Sequence, residues 1–409
     1  MRNYGFESSD NPFLVHTQRI PVERDHTHQD RTVTRNDLSI DQRKALKDVL
    51  DLIHSGDRQL VSLGGFAGSG KSTLVPIISQ ELGNTRNTAF ATLTGKASNV
   101  LSRKLAAAGV HDAAHVGTIH SLLYKPVFDK KGHIVDWIRN SELVTYDGTP
   151  VLQLILDEAS MVGSRIMEDL LSFGVPILAV GDPGQLPPVQ DTSVIEKTDV
   201  TLTKIHRQAE GNPIIRLANA IRIEGDIPRG WEPSEEIRFT DREQGVFPII
   251  GEGFSRLGLN FGIMVRTNQL RQNFNTNFRS HPDPEVGDIV ICLKNAPPIY
   301  NGMRGILEDL REEGLSWYRA SIRFPDDGII INSRISKAQF GMSATLQSTH
   351  TTGMLFDYGN SMTVHKAQGS AFDECVVIPD KFSRDTEKEY AQWLYTAVTR
   401  ASNKITIAK

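Results

Sequence analysis

The segment Gly65-Phe-Ala-Gly-Ser-Gly-Lys71-Ser72 constrains this chain more than any other. It matches G-x-x-x-x-G-K-[ST] and stands between a β-rich run, Gln59 to Leu63, and a helical run, Ser72 to Leu82. Gly65, Gly68 and Gly70 let successive backbone N–H groups face a phosphate, and the helix N-terminus adds favourable partial charge. Lys71 is then placed to pair with β- and γ-phosphates, and Ser72 to ligate Mg²⁺. Ser69 and Thr73 complete the phosphate-binding set. A strand, a glycine loop and a helix in this order belong to an α/β fold.

The rest of the chain keeps the same rhythm. Ser39 or Asp41 can cap a helix running to about His54. Thr88 to Leu93 reads as a strand and Ala97 to Ala108 as a helix. Val151 to Leu156 and Pro176 to Val180 are apolar runs suited to strands buried on both faces, so a parallel sheet is expected. Two segments break the pattern. An insert at about 124–147 alternates around Asp129 to Gly132 and predicts a β-hairpin, and 226–245 is rich in Pro, Gly and acid and reads as a linker. A second α/β part is expected over 246–409, starting at the strand Asn260 to Val265. Within it, about 284–352 forms short β-like runs with turn signals and suggests a small β-barrel. Residues 1–36 are polar without periodicity and read as a flexible tail, and 37–225 as the first domain.

A phosphate loop needs a carboxylate at the end of a neighbouring buried strand. Leu154-Ile-Leu-Asp157-Glu158 supplies it: Asp157 to hold Mg²⁺, directly or through water, and Glu158 to polarise an attacking water. A second apolar strand ends in Gly181-Asp-Pro-Gly-Gln185-Leu-Pro-Pro188, where the Gln185 amide can report on a γ-phosphate.

Together with Thr363-Val-His-Lys-Ala-Gln-Gly369 and Tyr395-Thr-Ala-Val-Thr-Arg400, these motifs resemble superfamily 1 DNA helicases of the RecD-like, Dda-like branch. The resemblance runs from about Leu38 to the C-terminus. It implies two RecA-like P-loop domains with parallel sheets, a β-hairpin pin in the first and an SH3-like β-barrel insert in the second. It further implies ATP and Mg²⁺ as cofactors, with Gln42 reading adenine, and Arg207 and Arg400 reaching the γ-phosphate, Arg400 from the second domain. Gly369 joins the nucleotide contacts on the same resemblance, whereas Ala371 stands where many relatives carry Glu and is assigned none.

For the nucleic acid, the resemblance points to Thr94, Lys96, Thr118, His120, Thr363, His365 and Lys366 as strand contacts, with Gln368 in the coupling motif. Phe128 is favoured over Trp137 as the aromatic of the pin. The implied partners are single-stranded DNA, duplex forks, and replication or single-strand-binding proteins. The expected activity is ATP-dependent 5′→3′ unwinding by a monomer. A single-strand translocase that displaces proteins, or a P-loop ATPase without a nucleic-acid role, remains the alternative. The two cysteines, Cys292 and Cys375, offer no disulfide framework or zinc site, and no apolar run approaches the ~20 residues that span a bilayer. A cytoplasmic location is therefore expected. The net charge of −4 runs against a nucleic-acid binder on charge alone. Much of the acid, however, lies at Glu232 to Glu243, Glu308 to Glu313 and Asp380 to Glu389, away from the expected strand track.

Overall fold

The computed structural model describes residues 16–19, 34–83, 85–128, 134–144, 148–188, 191, 193, 195–204, 211–277, 281–295, 299–346 and 353–409. The chain divides into two compact units, one joining His28–Arg242 to Ala367–Lys409, the other joining Met1–Thr27 to Glu243–Lys366.

The first unit is built on a six-stranded sheet in the order His115–Thr118, Thr88–Thr92, Gln153–Leu156, Ile177–Gly181, Leu60–Gly65, Val200–Leu202. Every neighbouring pair is parallel, as expected. Alternate residues of the same strands enter different cores. Phe90, Ile155, Leu178 and Val180 pack with Leu46, Val49, Leu74 and Ile78 on one face. Ala89, Ala91, Leu154, Leu156 and Ala179 pack with Ile119, Leu122 and Leu170 on the other. Burial on both faces explains why these strands read as unbroken apolar runs. The helix Ile40–Ser55 starts at Ser39, whose hydroxyl accepts from Gln42 N–H at 3.2 Å while Gln42 Oε1 accepts from Ser39 N–H at 3.0 Å. Such a reciprocal cap satisfies two orphan amides at once.

Two expectations need correcting in this unit. The segment 226–245 is not a plain linker, because Ile237–Thr240 forms a strand paired in parallel with Ala401–Ala408. Its Ile-Arg-Phe-Thr alternation is short and was masked by the surrounding Pro, Gly and acid. The span 246–409 also does not cluster as one body, since 367–409 belongs with the P-loop unit. The helix Glu387–Val398 packs on the helix Pro213–Glu224 and buries Tyr390, Trp393, Leu394, Tyr395, Ala397 and Val398. A helix apolar on so many sides is a core helix and takes its neighbours with it. The insert forms a hairpin as expected, with Tyr124–Phe128 antiparallel to Ile134–Arg139.

The second unit carries an antiparallel sheet of six strands, in the order His16–Arg19, Ile329–Ser336, Trp317–Phe324, Arg304–Glu313, Ile289–Cys292, Phe356–Tyr358. Four of these lie inside the expected 284–352 insert. The first corrects the flexible-tail reading of 1–36: His16–Arg19 pairs with Ile329–Asn332 as an edge strand. An edge strand needs only a backbone ladder, so its sequence carries no apolar alternation. Phe261–Val265 and Ser361–Thr363 form a parallel pair beside the helix Asn268–Asn277. Arg271 on that helix makes a buried ion pair with Asp357 at 2.6 Å, completed by Gly341 N–H and Tyr358 N–H on the carboxylate. No helix among the described residues is long and apolar enough to cross a membrane.

Candidate active site

The P-loop strand Leu60–Gly65 ends between its two neighbours in the sheet, and the helix Lys71–Leu82 follows the loop. Gly68 and Gly70 stand at φ of 79° and 84°, which only glycine adopts freely. A Cβ on Gly65 would collide with Ser69 Oγ, so the loop closes only around glycine there. Ser69 Oγ is buried with no hydrogen-bond partner among the described residues. Lys71 Nζ donates to the carbonyls of Gly65 and of Phe66 (3.2 Å) and lies 3.9 Å from Asp182 Oδ2.

Asp157 and Glu158 follow the strand Gln153–Leu156, one strand further across the sheet. Asp157 N–H donates to Ala91 O at 3.0 Å, and Asp157 Oδ1 accepts from Glu158 N–H at 3.0 Å. Glu158 has φ of 54°, the one left-handed non-glycine residue among those described. That conformation costs about 1 kcal/mol or more and places the residue on a tight turn before the short helix Ala159–Met161. Burial, and then the neighbouring Glu158 charge, push the Asp157 carboxyl up to about 6, with Lys104 and Lys71 acting in the opposite direction. Lys104 was not anticipated from the sequence. Its Nζ donates to Ser72 Oγ at 3.0 Å from an exposed helix position that carries no motif.

The loop after Ile177–Gly181 holds the fully buried Asp182, whose Oδ1 accepts from Gly184 N–H at 2.9 Å and whose Oδ2 accepts from Tyr395 OH at 2.8 Å. The Tyr395 hydroxyl also accepts from Ala67 N–H in the P-loop at 2.7 Å. Beside it, Thr396 Oγ1 accepts from Leu186 N–H at 2.9 Å, and Gln368 Nε2 donates to Leu186 O at 3.2 Å. Asp182 and Tyr395 are therefore site residues that motif spacing did not single out. Gln185 is buried with its Oε1 lacking a partner among the described residues. Arg400, expected from a second domain, is instead buried in the P-loop unit, donating to Thr396 O, Ser370 O and Thr399 Oγ1, because 367–409 packs there. Arg207 lies outside the described residues.

Gln42 is buried at the start of its helix. Its oxygen is used by the cap and its Nε2 has no partner among the described residues. Free buried groups on Gln42, Ser69 and Gln185, beside a loop shaped for backbone N–H donation, fit a nucleotide. Oxygen donors from Ser72 and Asp157 fit a hard divalent cation, and a cation there favours the ionised Asp157.

The expected strand contacts fall into separate places. Thr94 accepts from Ala97 N–H at 3.3 Å and so caps the helix Gly95–Ala107; Lys96 lies 5.4 Å from the Phe372 ring centre. Gly369, assigned to the nucleotide, has Thr94 and Ala97 as its nearest neighbours and φ of 73°. Thr118 caps the helix Ile119–Leu123, on which His120 is exposed. In the second unit Thr363 is buried, and His365 and Lys366 are half-buried. Burial and nearby Arg266 lower the His365 pKa, while burial and then Arg271 lower that of Lys366. Phe128 pairs in register with Ile134. Its side chain, that of Trp137 and the hairpin tip lie outside the described residues.

Residues 37–242 match the AAA domain family, and residues 358–408 match the UvrD-like helicase C-terminal domain. The chain is 28% identical over 400 residues to the ATP-dependent RecD2 DNA helicase of Deinococcus radiodurans, covering 88% of this chain and 49% of that protein. It is 26% identical over 397 residues to the RecBCD enzyme subunit RecD of Mycobacterium tuberculosis, covering 84% of this chain and 66% of that one. The chain thus spans about half the length of the first relative and just under two thirds of the second. Among solved structures, it resembles a Pif1 helicase from a study of DNA unwinding at forked duplex, with a TM-score of 0.55 and 20% identity over 91% of this chain and 92% of the other. Bacteroides Pif1 bound to single-stranded DNA follows at 0.52 and 20%, over 90% and 92%. These two likenesses are likenesses of fold.

Proposed function

We propose that this chain, which belongs to the AAA domain family and is similar to RecD helicases, is an ATP-dependent DNA helicase travelling 5′→3′ on single-stranded DNA. The observation that carries this reading is the meeting of Lys71, Asp182 and the Asp157–Glu158 pair at the ends of three adjacent parallel strands. Ligands of open α/β sheets bind at that edge.

In this reading Gln42 holds adenine, the amides from Gly68 to Thr73 cradle the phosphates, and Lys71 neutralises them. Ser72 and Asp157 hold Mg²⁺, which when bound offsets phosphate charge as bond order shifts. Glu158 orients and deprotonates the attacking water. Gln185, Arg207 and Arg400 read the γ-phosphate. Arg400 must then exchange at least one of its present carbonyl partners for a phosphoryl oxygen. Thr94, Lys96, Thr118 and His120 in one unit, and Thr363, His365 and Lys366 in the other, grip the strand. Gly369, packed on Thr94 and Ala97, links the coupling motif to that grip. The antiparallel sheet of 289–358 serves as the SH3-like DNA-handling insert, and the Tyr124–Arg139 hairpin as the pin, with Phe128 at the fork. ATP must bind one conformation of the motor better than another for each cycle to move the strand. A monomer acting in the cytoplasm on single strands and forks completes the reading.

The test is strand displacement on duplexes with only a 5′ or only a 3′ tail, with and without ATP. Unwinding of the 5′-tailed substrate alone is expected. ATP hydrolysis without strand separation on either substrate would favour a translocase, and hydrolysis indifferent to single-stranded DNA would remove the nucleic-acid role. Lys71→Ala is expected to abolish hydrolysis, and normal turnover in it would sink the active-site assignment.

A further inference from the structure

We propose that Tyr395 is a positioning residue of the ATP site, whose hydroxyl bridges the P-loop and Asp182 and so keeps Asp182 from drawing Lys71 away from the phosphates. The proposal rests on the ATPase reading above.

The donor directions are determined by chemistry. Ala67 N–H can only donate, so the Tyr395 oxygen accepts it at 2.7 Å. The single hydroxyl proton is then left for Asp182 Oδ2, 2.8 Å away. Burial, with the Asp182 charge adding to it, holds the phenol pKa well above its usual value, so the proton stays in place. Both side chains are fully buried. The ring is seated against Gly184, where a Cβ would come within 3.1 Å of Tyr395 Cε1. Any larger residue at 184 would press on the ring that carries the bridge.

Asp182 is otherwise poorly served. Among the described residues its second oxygen has one backbone donor, Gly184 N–H at 2.9 Å. Among the described residues the nearest cation is Lys71 Nζ, at 3.9 Å, beyond hydrogen-bond distance. Lys71 instead donates to two neutral carbonyls, Gly65 and Phe66, which a charged phosphate readily displaces. A buried carboxylate that loses a donor takes the closest cation, because an unpaired charge in a dry site is costly. Without the Tyr395 hydroxyl that cation is Lys71. The P-loop would lose its phosphate-binding lysine to an internal ion pair, and Ala67 N–H would lose its acceptor.

Three full-length variants test this: Tyr395→Phe, Asp182→Asn and the double variant, each assayed for ATP hydrolysis with saturating single-stranded DNA. Tyr395→Phe should raise KM for ATP about tenfold while kcat moves about twofold or less, and the double variant should return KM to within about threefold of wild type. An unchanged KM in Tyr395→Phe overturns the proposal, as does a double variant no better than the single one. If Tyr395→Phe melts below the assay temperature, Asp182→Asn decides alone. Its KM should fall at least about twofold as Lys71 is released, and an unchanged or raised KM overturns the proposal. A wild-type chain that hydrolyses no ATP would instead sink the functional reading, so the two failures are distinguishable.

Discussion

Glu158 carries two demands at once. In the proposed mechanism it faces an attacking water, and it sits at the only left-handed non-glycine position among the described residues. Strain of that kind persists where surrounding structure over-determines it, here between the strand end and the Ala159–Met161 turn. Glu158→Gln keeps the shape and removes the base. It should retain ATP binding, measured by a fluorescent nucleotide, while turnover falls at least about 100-fold. The places of Asp157, Glu158, Lys71 and Ser72 at a strand end and a helix start were legible in the sequence because each lies in a short run whose spacing is itself the geometry. Asp182 and Tyr395 stand 213 positions apart, and no local pattern pairs them. Lys104 was equally hidden, since an exposed helix lysine gives no signal until its helix is placed over Ser72.

Among the elements, the strands Arg304–Glu313, Trp317–Phe324 and Ile329–Ser336 show how a sheet tolerates a local fault. Register sets Arg311 opposite Arg319, and Arg319 opposite Arg334. Like charges directly opposite are destabilising. Glu313 offsets them by accepting from Arg319 Nε and from Arg334 Nε, each at 2.9 Å. Hydrogen bonds from Arg334 and then Arg319 hold its carboxyl at about 2, below the usual 4.5. A lowered carboxyl pKa contributes stability above about 4.5 that is lost as pH falls through about 2. Glu313→Gln should therefore melt lower than wild type at neutral pH by roughly 1 kcal/mol or less, given its partial exposure. The gap should close toward pH 2, and a gap independent of pH would show that the charge is not responsible. The His16–Arg19 strand makes the complementary point. Its place depends on the free edge of Ile329–Ser336, which lies more than 300 residues away in the chain, so its own composition reads only as a polar tail.

At the scale of the whole molecule, the net charge of −4 loses its force as an argument against nucleic acid. The acid of 308–313 is spent on cross-strand arginines and a lysine: Glu308 pairs with Arg323, Glu312 with Lys337, and Glu313 with Arg319 and Arg334. The proposed strand track uses hydroxyls, helix caps and two lysines, Lys96 and Lys366. Binding to single-stranded DNA should then show a shallow salt dependence, a log–log slope of about −2 for roughly three phosphate contacts, and should change with nucleotide state. Titration by fluorescence anisotropy at several salt concentrations checks this, and a slope several-fold steeper would reveal a basic groove. The sequence by itself determined the parallel α/β core, the glycine loop between strand and helix, the carboxylates that end a buried strand and the likeness to helicases, because these are written in local periodicity and in motifs whose spacing is their geometry. Only the tertiary structure decided that residues 367–409 pack with the P-loop unit, that an N-terminal strand closes one sheet edge, and that Tyr395 links Ala67 to Asp182. Those outcomes depend on which buried surfaces and unpaired backbone groups meet across hundreds of residues, and hydrogen bonds of that range leave no trace in neighbouring positions.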